Sequence, residues 1–123
     1  MELKELATQI PRHLSRIFDF RTAGMSPPNR LIFGFRAIDQ LGNEAASLAK
    51  GKAMIVSDEA LEKMGIVDYV KALLSSSGGF TVETFTGVEP EPHIETVEAL
   101  HERCAGKDFS VIVGVGGGSV MDV

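Results

Sequence analysis

Residues 114–122 read Gly114-Val115-Gly116-Gly117-Gly118-Ser119-Val120-Met121-Asp122, and they directly follow the apolar run Phe109–Val113. A short, β-branched and uninterrupted run of this kind predicts a buried parallel strand. Glycine at 114 and at 116–118 permits positive φ and lets backbone or ligand come close. We expect Ser119 to cap a new helix and Asp122 to lie in its first turn. A strand, a glycine turn and a helix start together predict an anion site, most often for a phosphate.

This stretch differs from the two best-known glycine loops. A Walker A loop carries Gly-Lys-Ser/Thr after its glycines, and no lysine follows here. The dinucleotide fingerprint G-x-G-x-x-G fits Gly114 and Gly116 but meets Ser119 at its last position, and it belongs to the first strand–helix turn of a domain. A tight turn that packs closely on a neighbouring strand therefore stays open as the alternative.

The composition is that of one soluble globular domain. Of the 123 residues 44% are hydrophobic and 24% are charged, and the formal net charge is −5. Because this charge is acidic and no basic run occurs, nucleic acid and anionic membrane surfaces are not expected as partners. The single cysteine, Cys104, excludes an internal disulfide framework and suits a reducing cytoplasm. No apolar stretch approaches the length of a membrane span.

Hydrophobic patterns predict strands that alternate with helices. The expected strands are Leu31–Phe35, Ala53–Ser57, Phe80–Phe85 and Phe109–Val113. The expected helices cover 37–50, a stretch after Asp58 that bends at Gly65, and 93–105 with Ile94, Val97, Leu100 and Cys104 inward. This alternation predicts an α/β fold, a Rossmann-like parallel sheet with flanking helices. Ligands bind at the carboxyl ends of such strands, where the loops at Asp58, Gly87–His93 and Gly114–Ser119 begin.

The first thirty residues predict a separate N-terminal helical arm and connector, residues 1–30. Apolar residues recur at helical spacing before Pro11, and Gly24, Pro27 and Pro28 punctuate the connector. An amphipathic arm buries its apolar face against another surface, so we expect it to pack on the body of the same chain or to form a subunit contact. Residues 31–123 would then form the α/β domain itself.

From about Pro28 to Val123, the chain resembles the amino-terminal, NAD(P)-binding domain of the iron-containing (group III) alcohol dehydrogenases. Four stretches carry the resemblance: Leu31-Ile32-Phe33-Gly34, Ala53-Met54-Ile55-Val56-Ser57-Asp58, Gly87-Val88-Glu89-Pro90-Glu91-Pro92 and residues 114–122. The final motif, G-G-G-S-x-x-D, is the most specific of them. The resemblance implies an incomplete domain of the dehydroquinate synthase-like N-terminal fold.

The resemblance also implies cofactor-binding residues. Those expected at the pyrophosphate of NAD(P) are Gly116, Gly117, Gly118 and Ser119. Asp58 matches the acidic residue at the adenosine ribose, where a carboxylate accepts hydrogen bonds from the hydroxyls and repels a 2′-phosphate, so NAD is expected rather than NADP. A plain helix N-cap is the other role of Asp58, and the two are compatible. Asp122 matches the motif aspartate, which orients the turn or lies near the nicotinamide.

Two departures from the family pattern stand out. Pro90-Glu91-Pro92-His93 replaces the usual Pro-Asn-Pro followed by Thr or Ser, so Glu91 would bring a negative charge close to the cofactor or serve as a helix-start acid. The family's Fe²⁺ or Zn²⁺ is held by one Asp and three His in a following all-helical domain that this sequence lacks. We expect no metal ligands in this chain, and Glu98 with His101 is expected to be solvated.

The leading functional hypothesis is an oxidoreductase that transfers a hydride between NAD and a small alcohol or aldehyde at a divalent metal. This chain would supply the cofactor half of a cytoplasmic homo-oligomer and be inactive alone. The alternatives are a non-catalytic nucleotide- or phosphate-binding module and a subunit-interaction fragment. Because the helix after the glycine turn is short, we expect one face of the strand Phe109–Val113 to be open to water, with self-association or partial order and weak NAD binding as the result.

Overall fold

The computed structural model describes residues 30–123, and residues 32–123 form one compact unit. The strands are β1 (Lys52–Val56), β2 (Thr81–Phe85) and β3 (Phe109–Gly114). The α-helices are α1 (Leu41–Leu48), α2 (Glu59–Lys63), α3 (Ile66–Ser76), α4 (Ile94–Cys104) and α5 (Gly118–Asp122), and a 3-10 turn covers Ala37–Gln40. The arm and connector expected over residues 1–30 lie outside the described residues, apart from Arg30.

The three strands form one parallel sheet in the order β2-β1-β3. The chain passes from β1 to β2, and then returns across β1 to reach β3. The direction of winding therefore reverses between β1 and β3, which is the switch point where open α/β sheets bind ligands. The predicted α/β fold with a parallel sheet is confirmed.

The central strand β1 is covered on both faces. Ala53 and Ile55 pack with side chains of α1 and α3 in one apolar cluster. Met54 and Val56 pack on the opposite face with Val88, Leu100 of α4 and Val120 of α5. Since successive side chains of a strand point to opposite faces, an uninterrupted apolar run is what a strand between two helical layers requires.

The helical stretch after Asp58 is divided at Gly65, as predicted. Gly65 has a φ of +80°, a left-handed conformation that glycine adopts without a Cβ clash. Helix α2 ends just before it, and α3 begins just after it. The bend lets the short α2 stay at the carboxyl end of β1 while α3 runs back along the sheet, where Val67, Val70 and Leu74 are buried.

The strand expected at Leu31–Phe35 is a wrong prediction. Within the described residues this stretch pairs with neither edge of the sheet, and Leu31, Phe33 and Phe35 are 81%, 96% and 98% exposed. A run of five apolar residues favours a strand by propensity, but a strand forms only where a neighbouring strand supplies hydrogen-bond partners. The stretch has strand propensity, but no strand among residues 30–123 pairs with it.

The inward face of α4 also differs from the prediction. Ile94 and Val97 are 70% and 38% exposed, whereas Thr96 and Leu100 are buried and Cys104 is half-buried. Residues four apart share a helix face, so Thr96, Leu100 and Cys104 form one stripe. A polar residue, Thr96, begins that stripe because its hydroxyl has a partner in the preceding loop, Glu89.

Strand β3 is only partly covered on the face that it shares with α4 and α5, where Phe109 packs on the apolar cluster and Ile112 is left exposed. Its residues alternate between half-buried and exposed, and Ile112 is 63% exposed. Ile112 is the register partner of Met54 and therefore lies on the same face as α4 and α5. Helix α5 covers that face near Gly114 and does not extend to Ile112. The expected open face is therefore observed at Ile112 but not at Phe109, while self-association and partial order stay predictions.

Candidate functional site

A cavity of about 450 Å³ lies at the carboxyl end of the sheet. Three segments line it: the start of α2, the loop after β2 and the start of α5. The lining residues are Asp58, Glu59, Ala60, Thr86, Gly87, Val88, Glu89, Pro90 and Ser119. Two of the predicted site residues, Asp58 and Ser119, are thus brought together from positions 61 residues apart in the chain (119 − 58).

Ser57 connects the segments that meet at this edge of the sheet through three hydrogen bonds. Its backbone N–H donates to Phe85 O at 2.8 Å, and its carbonyl accepts from Val88 N at 3.3 Å. Its buried hydroxyl donates to Val115 O at 2.7 Å. One residue after β1 therefore holds both the loop after β2 and the glycine turn after β3. Sequence reasoning missed this role, and the only available signal was a hydroxyl residue at the end of an apolar strand.

Asp58 is the N-cap of α2. Its Oδ1 accepts a hydrogen bond of 2.9 Å from Leu61 N, and its backbone is extended, as an N-cap residue requires. The side chain also lines the cavity and is half-buried. The cap alternative for Asp58 is therefore observed, and it leaves the carboxylate at the cavity wall, so both predicted roles are geometrically compatible.

The glycine turn is fixed at its first positions and open at its last. Gly116 has a φ of +153°, and a Cβ there would lie 2.6 Å from Val120 Cγ2. Gly117 and Gly118 have nothing within 4 Å of an added Cβ. Gly116 is therefore required for packing the turn, whereas Gly117 and Gly118 leave open space where a ligand can approach the backbone.

Two expectations for this turn are wrong. The N-cap of α5 is Gly117, not Ser119, which lies within the first turn of the helix and reaches the cavity there. Asp122, which was expected in the first turn, is the last residue of α5 and is exposed, while its role in orienting the turn or near the nicotinamide stays a prediction. The reason is that α5 starts two residues earlier than expected, with Gly117 as an N-cap that makes no side-chain hydrogen bond.

The loop after β2 supplies the third wall of the cavity. Thr86 Oγ1 donates to Glu62 Oε2 of α2 at 2.9 Å, which joins this loop to the opposite wall. Glu89 Oε1 accepts hydrogen bonds from Thr96 Oγ1 at 2.5 Å and from His93 N at 3.1 Å. The ring nitrogen Nδ1 of His93 also lies 3.1 Å from this oxygen. These hydrogen bonds, led by that of Thr96, lower the pKa of Glu89 from 4.5 to about 2.

Glu91 does not bring its charge to the cavity. Its side chain is exposed and is not among the lining residues, and its backbone has a φ of +54°. Asparagine adopts this left-handed conformation more readily than glutamate does. The cavity instead receives its carboxylates from Asp58, Glu59 and Glu89, and its lining within residues 30–123 includes no Lys, Arg or His.

The described residues do not fit a metal ion. No group of three or more His, Cys, Asp or Glu residues able to hold one is found between residues 30 and 123. Glu98 and His101 are both exposed on α4, as expected. His13 lies outside the described residues. Over the same residues, no helix combines the length and the hydropathy needed to cross a membrane.

The structure is thus a parallel α/β domain with a cavity at its topological switch point. The sequence model of the iron-containing alcohol dehydrogenase family matches residues 28–123, and the chain belongs to this family. The resemblance drawn from the four sequence stretches is thereby confirmed.

The chain is also similar to alcohol dehydrogenases of several bacteria. The chain is 37% identical over 90 residues to long-chain-alcohol dehydrogenase 1 of Geobacillus thermodenitrificans, covering 73% of this chain and 22% of that protein. It is 34% identical over 95 residues to the probable NADH-dependent butanol dehydrogenase 2 of Bacillus subtilis, covering 77% and 24%. It is 36% identical over 109 residues to 1,3-propanediol dehydrogenase of Citrobacter freundii, covering 87% and 27%. The chain therefore spans about a quarter of the length of these curated relatives.

Proposed function

We propose that this chain is the NAD-binding part of an iron-containing alcohol dehydrogenase, which transfers a hydride between NAD and a small alcohol or aldehyde. Membership of the family and the names of the relatives support the class of reaction. The observation that carries the cofactor proposal is the shared cavity of Asp58 and Ser119 at the switch point of the sheet.

The residues present fit a dinucleotide cofactor. The cavity lies within the size range of small-molecule sites, and open space above Gly117 and Gly118 allows close approach to the backbone. In this proposal Gly116, Gly117, Gly118 and Ser119 hold the pyrophosphate. Bound NAD supplies the hydride acceptor, and the residues of this chain bind and orient it. Asp122, at the far end of α5, would act on the turn only indirectly.

Asp58 is proposed to select NAD over NADP. One of its oxygens is engaged by the α2 cap, which fixes the direction of the carboxylate. A fixed carboxylate accepts hydrogen bonds from the ribose hydroxyls and repels a 2′-phosphate, and Glu59 and Glu89 add to the negative charge of the cavity. Two Bacillus subtilis relatives are named NADH-dependent, which agrees with this preference.

The proposal needs a metal held by residues other than those described here. The family resemblance implies Fe²⁺ or Zn²⁺ bound by one Asp and three His of a helical domain, and residues 30–123 offer no such group. We derive no step through the metal from this chain. The division into an arm of residues 1–30 and a cofactor domain of residues 31–123, and a homo-oligomeric assembly, are further parts of the proposal.

The test is the binding of NAD and NADP to this chain and its variants by isothermal titration calorimetry. Asparagine caps helices as well as aspartate does, so Asp58→Asn removes the charge and keeps the cap. We expect it to weaken NAD binding by roughly 1.5–3 kcal/mol, the range for a hydrogen bond to a charged group. The difference in affinity between NAD and NADP should become smaller. Asp68→Asn, an exposed acid in the first turn of α3, is the matched control. An unchanged ratio of the two affinities in Asp58→Asn would leave Asp58 with its capping role alone.

A further inference from the structure

Glu89 connects the cavity to the start of α4. It lies on the cavity wall, yet its hydrogen bonds go to residues of α4 and its N-cap. The backbone N–H of His93 and the hydroxyl of Thr96 both donate to the same oxygen, Oε1. The His93 ring nitrogen Nδ1 lies 3.1 Å from that oxygen as well.

Glu89 performs the capping that α4 otherwise lacks. His93, the N-cap residue, makes no side-chain cap hydrogen bond of its own. The first N–H groups of a helix need acceptors, and a negative charge beside them is favourable. A carboxylate four residues upstream meets both needs. The lowered pKa of Glu89 agrees with an ionised side chain held by donors.

The segment between Glu89 and His93 has little freedom. It contains Pro90 and Pro92, whose rings fix φ, and Glu91 in the left-handed region. Upstream, Val88 is buried and its N–H donates to Ser57 O at 3.3 Å. The cavity wall of residues 87–90 is thus attached to β1 at one end and to α4 at the other, and the second attachment is the Glu89 carboxylate.

We propose that Glu89 is a positioning residue for the cofactor cavity: it holds the wall of residues 87–90 against α4 through Thr96 and His93. This inference rests on the proposed function of the cavity as an NAD site. Thr96 is buried and does not line the cavity, so it affects the cofactor only through Glu89. That separation makes the positioning role testable apart from a direct contact with the ligand.

The experiment compares Glu89→Gln, Glu89→Ala and Thr96→Val in the full chain. Calorimetry gives the Kd for NAD, and amide hydrogen exchange gives the local opening at Val88 and His93. Glutamine keeps an oxygen acceptor, so Glu89→Gln should retain most of the affinity, whereas Glu89→Ala should raise the Kd for NAD about tenfold.

Thr96→Val should weaken NAD binding by a smaller factor and speed exchange at Val88 and His93. In the double variant Glu89→Ala/Thr96→Val, the two effects should not add, because both remove the same attachment. Glu95→Gln, which removes an exposed acid from the first turn of α4, is the matched control and should leave Kd unchanged.

Three results would overturn the inference. The first is a Thr96→Val variant with lowered stability but an unchanged Kd, which would reduce Glu89 to a helix cap. The second is an equal rise in the Kd for NAD in Glu89→Gln and Glu89→Ala, with amide exchange at Val88 and His93 as in the wild type. That result would mean that the charge of Glu89 acts on the ligand directly. The third is unchanged exchange at Val88 in Glu89→Ala. If the wild-type chain binds no NAD, the proposed function fails, and exchange at Val88 still decides whether Glu89 positions the wall.

Discussion

Strands β1 and β3 look alike in the sequence and differ in the fold. Both are short apolar runs, and both are followed by residues that reach the cavity. In β1, four residues are buried in succession, whereas β3 alternates between half-buried and exposed residues. The cause is position: β1 lies between two strands and two helical layers, and β3 lies at an edge where α5 covers only its end. Burial thus follows from topology more than from the hydrophobicity of the run.

The strongest test of this comparison is the same substitution in each strand. Ile55 is fully buried and Ile112 is 63% exposed. We expect Ile55→Ala to lower the free energy of unfolding by roughly 2–5 kcal/mol, because it opens a cavity in the core. Ile112→Ala should change it by less than about 0.5 kcal/mol. Chemical denaturation of both variants measures the two values, and equal losses would mean that Ile112 is covered in solution.

The glycine turn after β3 gives the next largest effect. Gly116→Ala forces a Cβ against Val120 and a φ that alanine rarely adopts, which should cost roughly 1–3 kcal/mol. Gly118→Ala meets open space at the start of α5 and should be within about 0.5 kcal/mol of wild type. Thermal unfolding compares the pair. Similar stability of the two variants would show that the turn is not packed on Val120 as observed.

A smaller effect is expected where β1 is joined to the turn after β3. Ser57→Ala removes the buried hydroxyl that donates to Val115 O. The loss of one buried hydrogen bond should lower stability by roughly 1–2 kcal/mol. Exchange of the Val115 amide, which donates to Val56 O, should become faster in the same variant. Ser110→Ala, at an exposed hydroxyl of β3, is the control, and an equal loss there would contradict the special role of Ser57.

The smallest effect concerns the opposite end of the sheet, where Glu83 of β2 bridges Lys52 of β1 and Lys107. The hydrogen bond from Lys52, followed by the charge of Lys107, lowers the pKa of Glu83 below its ordinary value of 4.5. Because the folded pKa is the lower one, the stabilisation is present above pH 4.5 and is lost as the pH falls through the folded value. In Glu83→Gln, the free energy of unfolding should therefore fall slightly less than in the wild type as the pH is lowered.

Measurement of stability between pH 7 and pH 2 tests this expectation, with pH values chosen around the ordinary carboxylate range of about 4. Glu89, whose pKa is about 2, should keep its contribution to lower pH than an ordinary carboxylate does. A Glu83→Gln profile that matches the wild type throughout would show that the bridge to the two lysines contributes nothing.

Much of the site could be predicted because its signals are local. Asp58 follows an apolar strand and precedes a helix, and Gly114–Ser119 does the same, so parallel topology alone brings both to one edge. Ser57 could not be predicted, because its partner Val115 lies 58 positions away in the chain. Glu89 was missed although Thr96 is near it in the chain, because the sequence does not show that the intervening turn brings the two side chains together. Asp122 and Glu91 were assigned by motif; neither is among the cavity-lining residues, and the role of Asp122 stays a prediction.

The sequence by itself determined the order of the three strands along the chain, the helices between them, the break at Gly65 and the family, because each depends on local propensity or on a contiguous motif. Only the tertiary structure decided that Leu31–Phe35 forms no strand, that Thr96 faces inward and that Ile112 is exposed. These outcomes depend on which surfaces and hydrogen-bond partners the rest of the fold supplies, and a short apolar run carries no information about its neighbours in space.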